Sequence, residues 1–253
     1  MSAVPQDDEP AEGLRRLDQL QVPDSRMRFL AVREGGWVRS ITQQDRHEVI
    51  AAYDLNPAVP EDIRVQFDTA RNLYLYAWNV YRFHVVAEHQ ALATLELALR
   101  TRLISANVLD AKGKHTRTLA PKVPGGPPRS ETRKAMLSDL LKLAAHHGYL
   151  RNSWLENKHG WAMLLARERQ SMELSRKMFD LGLTEMDVPD EEPVPTTDEL
   201  AFDWIGHFTE TLPSIRNNYA HGSTSLHTTV LRTFEVTRAF VNQLFVGAPS
   251  IPG

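Results

Sequence analysis

The segment Arg216-Asn217-Asn218-Tyr219-Ala220-His221 sets an arginine and a histidine five positions apart. A guanidinium is permanently charged and offers planar N–H pairs that match phosphate oxygens, so Arg216 is suited to steadying a pentacovalent phosphorus. An imidazole titrates near neutral pH, so His221 can take or give a proton. The two together suffice to cleave RNA without a metal, because RNA carries its own nucleophile in the 2′-hydroxyl. On an ideal helix, five residues at 100° each place the pair about 140° apart. The length of the arginine, a local distortion, or a second copy of the motif across a dimer must close that gap.

A second carrier is Glu96 with Arg100, one helical turn apart in Leu95-Glu96-Leu97-Ala98-Leu99-Arg100-Thr101-Arg102-Leu103. The ordinary reading is an i,i+4 salt bridge. The functional reading has Glu96 orienting Arg216 or His221 while Arg100 contacts phosphate. From Arg100 to Lys142 ten Lys/Arg stand against three acids, a local +7 in a chain of net −3. Such a run is either solvated surface or a phosphate-facing rim, for which Arg102, Lys112, Lys114 and Arg117 are the candidates. From Glu185 to Asp203 eight acids occur with no Lys or Arg. Glu88 and His89 interrupt an apolar stripe, and a buried polar residue there must find a partner; His84 and Glu88, at i and i+4, read the same way. His146 and His147 end a helix, where imidazolium is favoured. Arg151, Asn152 and His159 have too long a spacing to repeat the motif. No P-loop, dinucleotide fingerprint or His-Glu-x-x-His occurs, and no metal-ligand set is evident, so no cofactor is expected.

The elements that must carry these residues are helical. Thr42 with Asp45 forms a capping box for a helix over about 43–54, ended at Asn56-Pro57. Pro60, Glu61 and Asp62 open the strongest pattern, with apolar positions from Ile63 to Leu103 three or four apart. That is one very long helix or two nearly collinear ones, with a break near 82–89. Residues 110–130 are expected to be a loop, and Ser130 to cap a helix through His147. A helix follows over about 154–181, interrupted at Gly160 and closed by Gly182. Residues 184–197 read as an acidic, proline-bearing linker. Helix resumes near Asp198 and breaks at Pro213, which starts the turn carrying Arg216, and a last helix covers about 226–245. No strand alternation is evident. The fold class is all-α: a helical bundle with one very long helix or helix pair in its N-terminal half and a C-terminal motif helix. Residues 1–39 form a partly disordered extension, 40–246 a single domain with an insertion around 110–196, and 247–253 a tail.

With 253 residues and 42% hydrophobic content the chain can bury a sizeable core. It has no cysteine, which rules out disulfides and thiol chemistry and fits a cytoplasmic location. The acidic start lacks an apolar signal region, and no run of about 18 apolar residues is present, so no membrane span is expected.

In this helical setting the Arg216-x4-His221 segment and the Glu96-x-x-Leu99-Arg100 helix resemble the HEPN superfamily, all-α domains that include ribonucleases of toxin and phage-defence systems. Asn217 matches the polar residue that commonly follows the arginine. The two regions and their host helices cover less than half of the chain. The resemblance implies a metal-independent endoribonuclease acting as a toxin or abortive-infection effector, with Arg216, His221 and Asn217 catalytic and Glu96 and Arg100 supporting. It also implies a homodimer whose two motifs meet in one cleft, RNA as substrate, and an antitoxin or regulatory protein as partner. Ser223 stands where the toxins silenced by tyrosine modification have tyrosine, which sets this chain apart from that branch. The rival reading is a non-catalytic HEPN-like helical module that binds a nucleotide, RNA or a protein.

Overall fold

The computed structural model describes residues 13–34, 36–119, 129–220 and 230–246. Among these, eight α-helices and two small antiparallel hairpins form a mostly helical fold. The first hairpin is β1 (Ala31–Glu34) with β2 (Trp37–Ser40). Helix α1 (Gln43–Ala51) begins at the predicted capping box: Asp45 N–H donates to Thr42 Oγ1, and the Thr42 N–H donates back to Asp45 Oδ2 at 2.7 Å.

Helices α2 (Glu61–Tyr76) and α3 (Phe83–Ser105) are not collinear. They fold back on one another about the turn 77–82, so that Gln90 reaches Gln66 at 2.7 Å. The turn sits ahead of the expected break, and Glu88 and His89 lie inside α3. It contains no Pro or Gly. Distant partners hold it instead: Arg46 Nη2 donates to the Tyr74 carbonyl, Asp24 N–H donates to the Trp78 carbonyl at 2.9 Å, and the Asp24 carboxylate accepts from Tyr81 N–H. Arg46 itself is buried, and its guanidinium also donates to His84 Nε2 at 3.0 Å. His84 therefore pairs with Arg46 and the Tyr81 carbonyl.

Helix α3 is the centre of the bundle. Its buried face (Ala87, Ala91, Leu92, Leu95, Ala98, Leu99, Leu103) alternates small and large side chains and packs against α2, α4 (Leu137–His146), α7 (Trp204–Ala220) and α8 (Leu231–Val246). Each fully buried Leu contributes about 1.5–3 kcal/mol, so this seam is one of the main sources of cohesion, beside Phe67, Trp204, Phe234 and Phe240 on its neighbours.

Residues 110–134 correct the expected loop. Strands β3 (Lys114–Leu119) and β4 (Arg129–Lys134) pair antiparallel, with β-branched Thr116 opposite Thr132. Ser130 therefore lies in a strand, and α4 starts at Leu137, where the Asp139 carboxylate accepts the Met136 N–H at 2.9 Å. Helix α4 buries Leu140, Leu141 and Ala144, so part of the segment 110–196 belongs to the core.

Helix α5 (Lys158–Leu181) runs unbroken through Gly160 and ends at Gly182, which takes the left-handed conformation (φ 64°). It buries only Trp161, Ala162 and Ala166. Beyond them, Arg167 pairs with Glu192, and Arg169 pairs with Glu199 of the short α6 (Thr197–Leu200) and donates to the Val194 carbonyl. Helix α7 starts at Asp203, whose carboxylate accepts Gly206 N–H, and Asn152 Oδ1 accepts Ile205 N–H. It passes through Pro213 without a break, contrary to the expected restart there. Burial of Trp204, Phe208 and Leu212 on one face offsets the roughly 3 kcal/mol that an interior proline costs.

Candidate functional site

His89, Glu96 and Arg100 recur at i, i+7 and i+11 along α3, within about 20° of one face. That stripe flanks the buried seam and meets the motif turn of α7. Glu96 lies between two guanidinium groups. Its Oε1 is 2.5 Å from Arg100 Nη2, and its Oε2 is 3.3 Å from Arg216 Nη2. Arg100 Nη2 also donates to the Ala135 carbonyl at 2.9 Å, which ties the stripe to the end of β4. One carboxylate between two guanidinium groups leaves the cluster with a net charge of +1.

Arg216 is the more open of the two arginines, its side chain 29% exposed against 19% for Arg100. Its Nε is buried and has no partner among the described residues. A guanidinium has five N–H donors, so the Glu96 pair leaves donor capacity free for an anion. Arg100 uses its Nη2 for both Glu96 and the Ala135 carbonyl, and its Nη1 is buried without a partner among the described residues, so it clamps the site from a less open position than Arg216.

His89 completes the cluster. Partial burial holds its imidazole below the usual range, the Arg216 charge pushes it further down, and Glu96 partly opposes both. An imidazole kept neutral beside a guanidinium can accept a proton. The sequence marked His89 only as an interruption of the apolar stripe; its i, i+7 relation to Glu96 was the signal that could have placed it here.

Glu88, one residue earlier and so about 100° round the helix, faces the core and is 3% exposed. It accepts from Tyr219 Oη and Thr233 Oγ1, each at 2.5 Å, and so joins α3 to α7 and α8. Burial first, and then the bond to Glu88 and its charge, push the Tyr219 phenol well up. The motif turn of α7 is thus held at two points, Arg216 by Glu96 and Tyr219 by Glu88.

The remaining candidates lie elsewhere. Asn217 is exposed on α7. Arg102 is on another side of α3, its guanidinium 4.6 Å above the Tyr149 ring. Lys112 and Lys114 are exposed at the root of the β3–β4 hairpin, where their backbone N–H groups donate to Asp110. Arg117 is on β3. His221 lies outside the described residues. Asn152 caps α7 and, with Arg151, lines an open groove of about 450 Å³ between α4 and the start of α7 that does not include the Arg216 cluster. Among the described residues no group of three His, Cys, Asp or Glu could hold a metal ion, and no helix is long and apolar enough to cross a membrane. No family model, curated protein or solved structure matches the chain.

Proposed function

We propose that this protein is a metal-independent endoribonuclease of HEPN type, a toxin or abortive-infection effector working in the cytoplasm as a homodimer. The observation that carries the reading is Arg216, with its side chain 29% exposed at the head of its motif and held by Glu96. In the proposed reaction a histidine removes the 2′-hydroxyl proton and O2′ attacks the adjacent phosphorus. Arg216 stabilises the phosphorane charge, and the 5′-oxygen leaves with a proton. The products carry a 2′,3′-cyclic phosphate and a 5′-hydroxyl. His221 takes the proton-transfer role by the family resemblance. His89, neutral beside Arg216, is the second imidazole available to it. Asn217 fixes the local geometry, and Lys112 and Lys114 supply positive charge towards the RNA, whereas Arg102, stacked on Tyr149, and Arg117, on the His115 face of the ribbon, do not share that side.

The test is cleavage of single-stranded RNA by purified protein in EDTA, with DNA of the same sequence as control, since DNA lacks the nucleophile. Arg216→Ala is expected to slow cleavage about 10²–10³-fold and His221→Ala about 10²–10⁴-fold, both retaining native circular dichroism. Strict dependence on a divalent metal, or full activity of His221→Ala, overturns the mechanism.

A second reading, a non-catalytic helical module, draws on the same cluster. Glu96 satisfied by Arg100 and Arg216 within one chain also serves as a brace between α3 and α7. That reading expects Arg216→Ala to lower stability with no RNA cleavage by wild type to lose.

A further inference from the structure

The β3–β4 ribbon has two unlike faces. Residues directly opposite in an antiparallel pair share a face, and the register pairs Lys114 with Lys134, Thr116 with Thr132 and His115 with Arg133. His115 and Arg133 turn inward. Both are half-buried, and Arg133 bonds Asp139 at the start of α4 at 2.9 Å. Lys114, Thr116, Ser130, Thr132 and Lys134 are all exposed. The Thr116 and Thr132 hydroxyls touch at 2.7 Å, leaving a flat strip of hydroxyls with an ammonium on each strand at one end.

This strip costs stability as it stands. Two lysines directly opposite repel one another, and neither has an ion pair among the described residues. A polyanion laid along the strip removes that repulsion. Its chemistry also discriminates among polyanions. Interfacial membrane helices insert Trp, Phe or Leu, and this face has none of them among its described side chains. Protein interfaces are depleted in Lys and Ser and enriched in aromatic residues and Met, the opposite of this composition. Phosphodiester backbones are held by Lys together with Ser and Thr hydroxyls. Same-face residues on a strand recur about every 6.6–6.8 Å, a spacing that lets successive side chains follow a strand of nucleic acid. The root of the ribbon is fixed: Arg100, which holds Glu96, donates to the Ala135 carbonyl, and its Nη1 lies 3.3 Å from where a Cβ on Gly113 would be.

We propose that the outer face of the β3–β4 ribbon (Lys114, Thr116, Ser130, Thr132 and Lys134) is a binding surface for the sugar–phosphate backbone of a nucleic acid. Arg100 anchors this surface to the Arg216 cluster. Backbone binding stands apart from catalysis; the choice of RNA as the natural occupant rests on the ribonuclease reading.

The experiment is fluorescence anisotropy of the full chain with a 20-nucleotide 2′-O-methyl RNA, which cannot be cleaved, over a salt series. Lys114→Glu/Lys134→Glu is compared with Arg176→Glu/Lys177→Glu on α5, which changes net charge equally. Two lost phosphate contacts lower the salt slope by about 1.4 and the affinity about 20-fold or more near 0.1 M salt. The α5 variant is expected to lose less than about threefold. Single-stranded DNA should show the same dependence on the ribbon. Equal loss in both variants, absence of binding by wild type at low salt, or ribbon-dependent binding to phosphatidylserine vesicles overturns the proposal. Cleavage assays separate it from the ribonuclease reading. Ribbon-dependent binding with no cleavage by wild type sinks only the enzyme. Cleavage with an unchanged KM in the ribbon variant sinks only the ribbon.

Discussion

Glu96 shows how one carboxylate can set the state of several neighbours. It neutralises one of two guanidinium groups, holds Arg216 in place and opposes the depression of His89. Because the folded state depresses His89, the unfolded chain takes up the proton first as pH falls. The stability that goes with a neutral His89 is complete above the unfolded value of about 6.5 and is lost on acidification through the lower, folded value. Thermal melts from pH 8 to 5 are expected to show a loss on the acid side that His89→Gln reduces; equal slopes for the two proteins would contradict the assignment. Arg216→Lys tests the same site differently. Lysine keeps the charge but not the planar fork, so cleavage is expected to stay within about tenfold of the Arg216→Ala level rather than return to wild type. Arg216, Glu96 and Arg100 were legible because a motif and an i,i+4 spacing are local in sequence. Their meeting was not, because it depends on how α7 packs on α3.

Among the elements, what could be read in advance was likewise what is local. The Thr42–Asp45 box and the left-handed Gly182 are settled within four residues, and the structure has both. The fold-back of α2 on α3 was hidden because the turn 77–82 has no Pro or Gly, and its anchors, Arg46 on the Tyr74 carbonyl and Asp24 on the Trp78 carbonyl and Tyr81 N–H, come from more than 25 positions away. The β3–β4 ribbon was hidden because its strands carry no apolar alternation: the half-buried residues it turns inward are His115 and Arg133, not apolar ones. Pro213 misled because packing of α7 outweighs a local penalty. The joint between α3, α7 and α8 is the most exposed to mutation. Removing the Glu88 carboxylate takes the acceptor from both Tyr219 and Thr233 in a buried site, so Glu88→Ala is expected to cost about 2–4 kcal/mol in urea unfolding. Glu88→Gln, which keeps one acceptor oxygen, should lose less. A cost under about 0.5 kcal/mol would show that the joint does not hold the motif turn.

For the whole molecule, the proposed cleft is built from two copies, because on an ideal helix a five-residue spacing would set Arg216 and His221 about 140° apart. Light scattering at micromolar concentration is expected to give twice the 28.7 kDa chain mass, and a stable monomer with or without RNA counts against the composite cleft. Helix α5 has a consequence of another kind. Past Ala166 it continues for 15 residues, about 22 Å at 1.5 Å per residue, with no buried side chain. A helix of that length is marginal in water on its own. Its amide hydrogens therefore exchange with solvent by fraying from Gly182 inward, at the pace of local opening, while those of α3 wait for the entire bundle to come apart. Exchange followed by mass spectrometry should show a gradient along 167–181 that steepens with salt, as the pairs of Arg167 and Arg169 are screened, and no such gradient along 87–103.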